Sequence, residues 1–291
     1  MQPHLTHARV ALSHKIKLIM KKMFLVFATA ISLSALQAQI KEGTVIYERK
    51  INMHKMIQDE QMRAMMPEFR TSKHILLFSD STSMYKTIPE DEAPDPFEGG
   101  GGGGARVIIR MGGGDGDELY KNFAQSKSVL MTELGAKTYI IEDSIRTQKW
   151  KLSDETKTIL GHNCHKATTQ QTIMGGGMVR ININGNNPGD TTKKTNAPQA
   201  KQVDVVAWYA DDIQTPVGPE NNGGLPGVIL QLNINDGQTV YTATEIKKEV
   251  NKKEVKEPTK GKKITKAEFQ KLQMEMMNNM NHGGPGGRPP M

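Results

Sequence analysis

Residues 227–247 read GVILQLNINDGQTVYTATEIK. Two runs rich in β-branched and aromatic residues flank Asp236-Gly237, and a tight hairpin turn needs the positive φ values that Asp-Gly adopts at low cost. In the second run Val240, Thr242, Thr244 and Ile246 fall on one side of an extended chain and Tyr241, Ala243 and Glu245 on the other. Such alternation predicts paired antiparallel strands in a sheet with one wet face.

Working outward, segments of the same kind recur between Gly, Asp, Asn or Ser boundaries. They are Thr44 to Ile51, Lys73 to Ser79, Arg106 to Arg110, Ser128 to Thr132, Thr138 to Glu142, Gln148 to Leu152, Asn163 to Thr172, Met178 to Asn184 and Val203 to Tyr209. With the hairpin, this predicts about ten or eleven strands. Helical patterning is confined to two places. Met62, Met65, Met66 and Phe69 have helical spacing within residues 53–69, and Pro67 should end or kink that helix. Near the C-terminus Thr265 and Glu268 form a capping box, Ile264 and Phe269 a hydrophobic staple, and Phe269, Leu272, Met276 and Met280 one stripe. The expected fold is therefore mainly β: a large curved antiparallel sheet or half-barrel with a short packed helix, plus a separate C-terminal helix over 264–282. The nearest architectural analogy is the half-barrel of lipoprotein carriers, at the level of fold alone.

The chain has 291 residues, but its two ends do not read as core. Lys21 and Lys22 precede an apolar run from Met23 to Leu36 that closes at Ala38. This pattern predicts a secretory leader over 20–38, cleaved near Ala38, and it places residues 1–19 upstream of the better start at Met20. The run is too short to span a hydrocarbon core of about 30 Å, so no transmembrane span is expected in the mature chain. Three polar or glycine-rich stretches punctuate the rest: insertions at 89–104 and 185–202 and a Lys/Glu-rich linker at 248–263. The domain between is expected over 40–247, and residues 283–291 read as a disordered tail.

The net charge of +7 is concentrated at the start: five basic residues precede position 39, leaving 33 basic against 31 acidic residues, or +2. Nucleic acid is therefore not an expected partner. The six glycines Gly99 to Gly104 match a phosphate-binding pattern only trivially, because acids precede them and no helix pattern follows. Cys164 is the only cysteine in the chain, so an exported protein would have no internal disulfide. In Gly-His-Asn-Cys-His, residues 161–165, a strand would put His162 and Cys164 on one face and His165 on the other. Cys164 is a candidate reactive thiol, yet nothing nearby in sequence supplies an orienting base, and no general acid or base is nominated. Thioether and imidazole groups collect at Met274, Met276, Met277, Met280 and His282, a soft set that would suit Cu(I) in an exported protein; helix packing explains the same spacing.

The segment Trp208-Tyr209, Gly218-Pro219 and Gly224-Leu225-Pro226-Gly227-Val228-Ile229 resembles the GLPGLI family of exported Bacteroidota proteins, with Val228 where the naming motif has leucine. Thr44 to Tyr47, Trp150-Lys151-Leu152 and Ile159 to Ala167 agree in the same order. The resemblance implies an exported β-rich domain with no catalytic residues to carry over. In physical terms, Gly223 and Gly224 permit positive φ, Pro226 fixes a turn, and Gly227 lets the following strand pass close to another backbone. Trp208, Gly224, Leu225, Pro226 and Gly227 are thus the candidate binding residues. The expected function is non-enzymatic, with an apolar small molecule or an envelope protein as partner and no cofactor; Met- and His-based copper handling is the alternative. A hydrolase or redox role for Cys164 is a third.

Overall fold

The computed structural model describes residues 40–57, 60–89, 116–174 and 200–282, without the side chains of Met62, Met174 and residues 277–282. The leader, the strands expected at 106–110 and 178–184, nearly all of both insertions and the tail at 283–291 lie outside the described residues. The described residues form twelve strands: β1 (Gly43–Asn52), β2 (Phe69–Phe78), β3 (Thr82–Thr87), β4 (Glu118–Asn122), β5 (Lys127–Leu134), β6 (Lys137–Ser144), β7 (Lys151–Ile159), β8 (His162–Met174), β9 (Ala200–Ala210), β10 (Val228–Ile234), β11 (Thr239–Lys247) and β12 (Lys262–Ile264). Helix α1 spans Glu60–Met65 and α2 spans Lys266–His282. The strands form one open sheet in the order β12-β6-β5-β4-β3-β2-β1-β11-β10-β9-β8-β7, antiparallel except for β12 beside β6. Two meanders, β1 to β6 and β7 to β11, meet where β1 pairs with β11.

The hairpin at 227–247 forms, but its turn is longer than two residues. Ile234 pairs with Thr239, and Asn235, Asp236 and Gly237 all have positive φ, at 54°, 51° and 80°. The side chain of Asn233 accepts a bond from the Gly237 amide at 2.6 Å, which secures this wider turn.

Cross-strand partners point to the same face, so register separates the two sides of the sheet. Val45, Leu76, Tyr85, Leu119, Leu130 and Ile141 follow one another across β1 to β6 on the face termed inner below. Tyr47 and Arg49 extend it to Ala243 and Tyr241 of β11, then to Leu232, Ala207 and Ala167. The outer face of the first meander is also apolar: Leu77, Met84, Tyr120, Val129 and Ile140 form a buried cluster. Consecutive apolar residues such as Leu76-Leu77-Phe78 and Tyr139-Ile140-Ile141 are needed because both faces are covered.

The cover of the outer face is the charged stretch read as a linker. Val250 and Val255 pack on the outer cluster, while Lys86 meets Glu254 at 3.0 Å and Lys127 meets Glu257 at 2.5 Å. The Lys/Glu composition concealed a strap whose two valines carry the contact. Beyond it, β12 adds to the sheet edge and Thr265 caps α2: its amide donates to Glu268 at 2.7 Å, and the Glu268 amide donates back to its hydroxyl at 3.2 Å. Helix α2 is docked rather than separate at this end, since Phe269 is buried with Tyr139 and Ile141 of the inner face. The first helix is shorter than its methionine pattern suggests. Met65 is exposed and Phe69 belongs to β2, whereas Met53, Met56, Ile57 and Met66 pack around Ile51.

Among the described glycines the tightest backbone approach is at Gly227, where an added Cβ would lie 1.7 Å from the Ala210 carbonyl oxygen. Gly224 has open space around the same position but a φ of 82°. Gly227→Ala should cost about 3 kcal/mol through steric displacement of the β9–β10 junction. Gly224→Ala should cost about 1 kcal/mol through backbone strain alone. Urea denaturation of the two variants measures this ordering, and equal losses would contradict it.

Candidate functional site

Residues 211–227 leave β9 and return to β10 across the inner face. Their side chains alternate: Ile213, Thr215, Val217 and Leu225 are buried, while Gln214, Pro216, Gly224 and Pro226 are exposed. Backbone bonds shape the crossing. The Gly224 amide donates to the Pro216 carbonyl at 3.0 Å, Val228 to Ile213 at 3.0 Å and Ile229 to Val217 at 2.9 Å. Two glycines are required by contact: a Cβ on Gly218 would meet the Asn222 carbonyl oxygen at 2.9 Å, and one on Gly223 would meet the Pro216 carbonyl oxygen at 2.7 Å. The indole of Trp150 donates to the Gly223 carbonyl at 2.9 Å, and Gln148 and Gln171 both donate to the Asn222 side chain, at 3.2 and 2.6 Å. Gln148 and Trp150, read as part of a strand, instead precede β7 and hold the loop.

Ile213, Val217 and Leu225 enter the main core with Tyr47, Leu76, Tyr241 and Leu232, and their residual exposures are 0%, 2% and 2%. The centre of the apolar inner wall is therefore occupied by this loop.

Beside the apolar contact lies a polar cluster that the sequence reading missed. Glu220, in a left-handed conformation at φ 52°, brings its carboxylate 3.8 Å from Arg49 of β1 and accepts a hydrogen bond from the Tyr241 hydroxyl. Its carbonyl accepts a bond from the Lys121 ammonium at 2.6 Å. The guanidinium of Arg49 lies 5.6 Å from the Tyr241 ring centre, and His74 stacks on Tyr85 at 5.3 Å. Tyr85 is 7% exposed, and its hydroxyl has no hydrogen-bond partner among the described residues. Burial, and then the charge of Arg49, lowers the His74 pKa to about 4, so the imidazole is neutral at neutral pH. Burial lowers Lys121 to about 8, against the opposing pull of Glu220. Tyr85 and Tyr241 are pushed up, first by burial and then by Glu220. The residues come from β1, β2, β3, β4, β11 and the loop, so no linear motif marks the cluster; an Arg and a Lys at inward strand positions were the available signal.

The motif residues do not converge with Trp208. Gly224, Leu225, Pro226 and Gly227 belong to the inner-face crossing, whereas Trp208 pairs with Lys166 and Gln231 on the outer face. There its ring lies 4.2 Å from the Lys157 ammonium, a cation–π contact. Cys164 is also placed on the outer side, fully buried, with its thiol 3.6 Å from the His162 carbonyl oxygen. Burial raises its pKa to about 11, opposing thiolate formation. His162 and His165 each meet a different aspartate, Asp212 at 2.7 Å and Asp211 at 3.1 Å, which fasten the start of the crossing to β8. Among the described residues no group of three or more His, Cys, Asp or Glu is placed to hold a metal. Of the soft set, Met274 is exposed and Met276 is half-buried, and the side chains of Met277, Met280 and His282 lie outside the described residues.

Residues 150–231, which contain the crossing and its Trp150 anchor, match the model of a family described as protein of unknown function (Porph_ging). No curated protein sequence matches the chain. Among solved structures the chain is similar to PNGF-II, at 13% identity and a TM-score of 0.47, covering 81% of this chain and 33% of that one. It thus spans about a third of that protein's length. It is also similar to LprF from Mycobacterium bovis, at 9% identity and a TM-score of 0.27, with 77% and 92% covered. A third similarity is to a putative outer membrane lipoprotein-sorting protein domain from Vibrio parahaemolyticus, at 8% identity and a TM-score of 0.25, with 75% and 89% covered.

Two measurements check this geometry. Between pH 6.5 and about 4 the unfolded chain takes up a proton that folded His74 refuses, so stability falls as pH is lowered through that window, by on the order of 3 kcal/mol. Denaturation at three pH values should show a steeper fall for the native protein than for His74→Gln; parallel curves would contradict the buried neutral imidazole. Native Cys164 should resist a thiol reagent at pH 8 and react fully after unfolding, and rapid labelling of the folded protein would contradict its burial.

Proposed function

We propose that this is an exported, non-enzymatic binding protein of the GLPGLI type, in which an apolar chain takes the seat that residues 211–227 occupy on the inner face. The chain belongs to an apolar small molecule or to the acyl group of an envelope protein. One observation carries the reading: Ile213, Val217 and Leu225 cover the inner wall from a loop rather than from a packed helix or strand. The crossing therefore acts as an internal substitute for the ligand. The leader expected over 20–38 supports an exported setting, and no helix among the described residues is long and apolar enough to cross a membrane.

The magnitude of the exchange sets a minimum ligand length. Burying three such side chains contributes about 1.5–3 kcal/mol each, or about 4.5–9 kcal/mol in all, while a buried methylene contributes about 0.8 kcal/mol. Offsetting the displaced loop thus takes roughly six to eleven methylenes, before any gain in affinity. Octanoate should fail to bind, laurate should bind at most marginally, and palmitate, with roughly three to eight methylenes beyond the offset, should bind with a Kd on the order of 20 μM to several mM by tryptophan quenching or calorimetry. Organic extraction of protein purified from its native envelope should also release long-chain material. Absence of binding by palmitate, or equal binding across the series, would overturn the reading.

A further inference from the structure

Residues 247–266, which run from the end of β11 to the start of α2, hold nine lysines against three glutamates, a net charge of +6. The chain from position 39 onward is +2, so the rest of it sums to −4. The strap sorts its charges by side. Val250 and Val255 pack on the outer cluster, and Glu254 and Glu257 turn with them to the sheet, where Lys86 and Lys127 neutralise them at 3.0 and 2.5 Å. A turn fixes this arrangement: the Glu254 amide donates to the Asn251 carbonyl at 2.9 Å, and the Asn251 side-chain amide donates to the Glu254 carboxylate at 2.7 Å. The lysines are left on the solvent side, and all nine are exposed. Some of them pair with acids beside the strap, as Lys252 does with Glu42 at 2.7 Å. Lys248, Lys253, Lys256 and Lys260 do not: no acidic partner holds their side chains among the described residues.

The make-up of this exposed side decides among anionic partners. Protein interfaces are anchored by aromatic or arginine side chains and are depleted of lysine. Residues 247–266 contain no aromatic residue and no arginine. A discrete phosphate or carboxylate is best gripped by the bidentate fork of arginine, whereas ammonium groups on flexible stems are separate point charges. Diffuse negative charge spread over a surface suits them: lipid head groups demand no fixed partner geometry, and each lysine close to an anionic bilayer adds its own share of attraction. We infer that the strap is a docking surface for an anionic lipid bilayer, met by Lys248, Lys253, Lys256 and Lys260, while Val250, Val255, Glu254 and Glu257 hold it to the sheet. Docking of this kind uses the fold as it stands. It also stands apart from the apolar seat on the inner face, because the strap lies on the opposite face.

The test is flotation of the mature protein with vesicles of mixed phosphatidylglycerol and phosphatidylcholine, set against vesicles of phosphatidylcholine alone. Binding to the anionic vesicles should be about tenfold tighter or more, and it should disappear at about 0.5 M NaCl, where the screening length falls to a few Å. Lys253→Gln, Lys256→Gln and Lys260→Gln combined should weaken it about a hundredfold. These side chains are exposed and unpaired among the described residues, so the urea midpoint should stay at the native value. Lys149→Gln, Lys151→Gln and Lys201→Gln combined remove the same charge from exposed positions of the second meander and should change binding by less than about fivefold. Equal losses in the two triple variants would overturn the inference, because net charge alone would then be acting. Equal binding to neutral and anionic vesicles, or binding that survives the salt, would overturn it too. Tighter binding to polyglutamate or duplex DNA than to the vesicles, at equal anionic charge, would give the strap to another partner and overturn the lipid assignment. Palmitate affinity should be the same in the strap variant as in the native protein, so failure here leaves the reading of the inner face untouched.

Discussion

An open sheet that presents an apolar wall must have that wall covered, and in this protein residues 211–227 provide the cover. The central strands bring Tyr47, Leu76, Tyr241 and Leu232 to the inner face, where water contact would cost about 25 cal/mol for each Å² left exposed. A closed barrel would bury such residues within itself. Here the strand order ends at β12 and β7 without closure, so the burden falls on connecting segments. The crossing covers the centre of the inner face, the first turns of α2 cover the β6 side, and the strap through Val250 and Val255 covers the opposite face of the first meander. Gly227 against the Ala210 carbonyl is the geometric price of returning directly from the cover into the sheet.

The cover is held by two kinds of interaction with different consequences. Its apolar side chains gain by leaving water, and any other apolar group of matching size would gain similarly. Its polar attachments are specific: Glu220 answers Arg49 and Tyr241, Asn222 answers Gln148 and Gln171, and the Gly223 carbonyl answers Trp150. Glu220 is thereby tied to β1, β4 and β11 at once, which fixes the position of the crossing on the wall. Neutral His74, stacked on Tyr85, keeps a third positive charge out of the cluster near neutral pH.

The hairpin at 227–247 and most strands were legible because β-branched runs between turn residues leave a local pattern. Strands β3 and β4 were less so, because they are short and buried on both faces and so show no alternation. The exposed edge strand β7 escaped for the opposite reason: its polar residues on both faces leave no apolar period. Gly224 to Gly227 pointed to a sharp corner, and that corner exists. The polar cluster beside it was not visible, since Arg49, His74, Tyr85, Lys121, Glu220 and Tyr241 are spread along the chain and meet only through strand register and the loop. The Lys/Glu stretch misled by composition, because two valines among charges are enough to dock a strap.

The claim at the centre of this account is that the crossing and the ligand compete for one wall. Hydrogen exchange of the Val217, Gly224 and Ile229 amides, with and without palmitate, tests it most directly, because Gly224 and Ile229 donate to carbonyls of the crossing in the free protein and Val217 donates within it. The account predicts protection of these amides in the free protein and its selective loss when palmitate is bound, with Tyr47, Leu76 and Tyr241 still protected. Unchanged or increased protection at the crossing in a palmitate-saturated protein would contradict it.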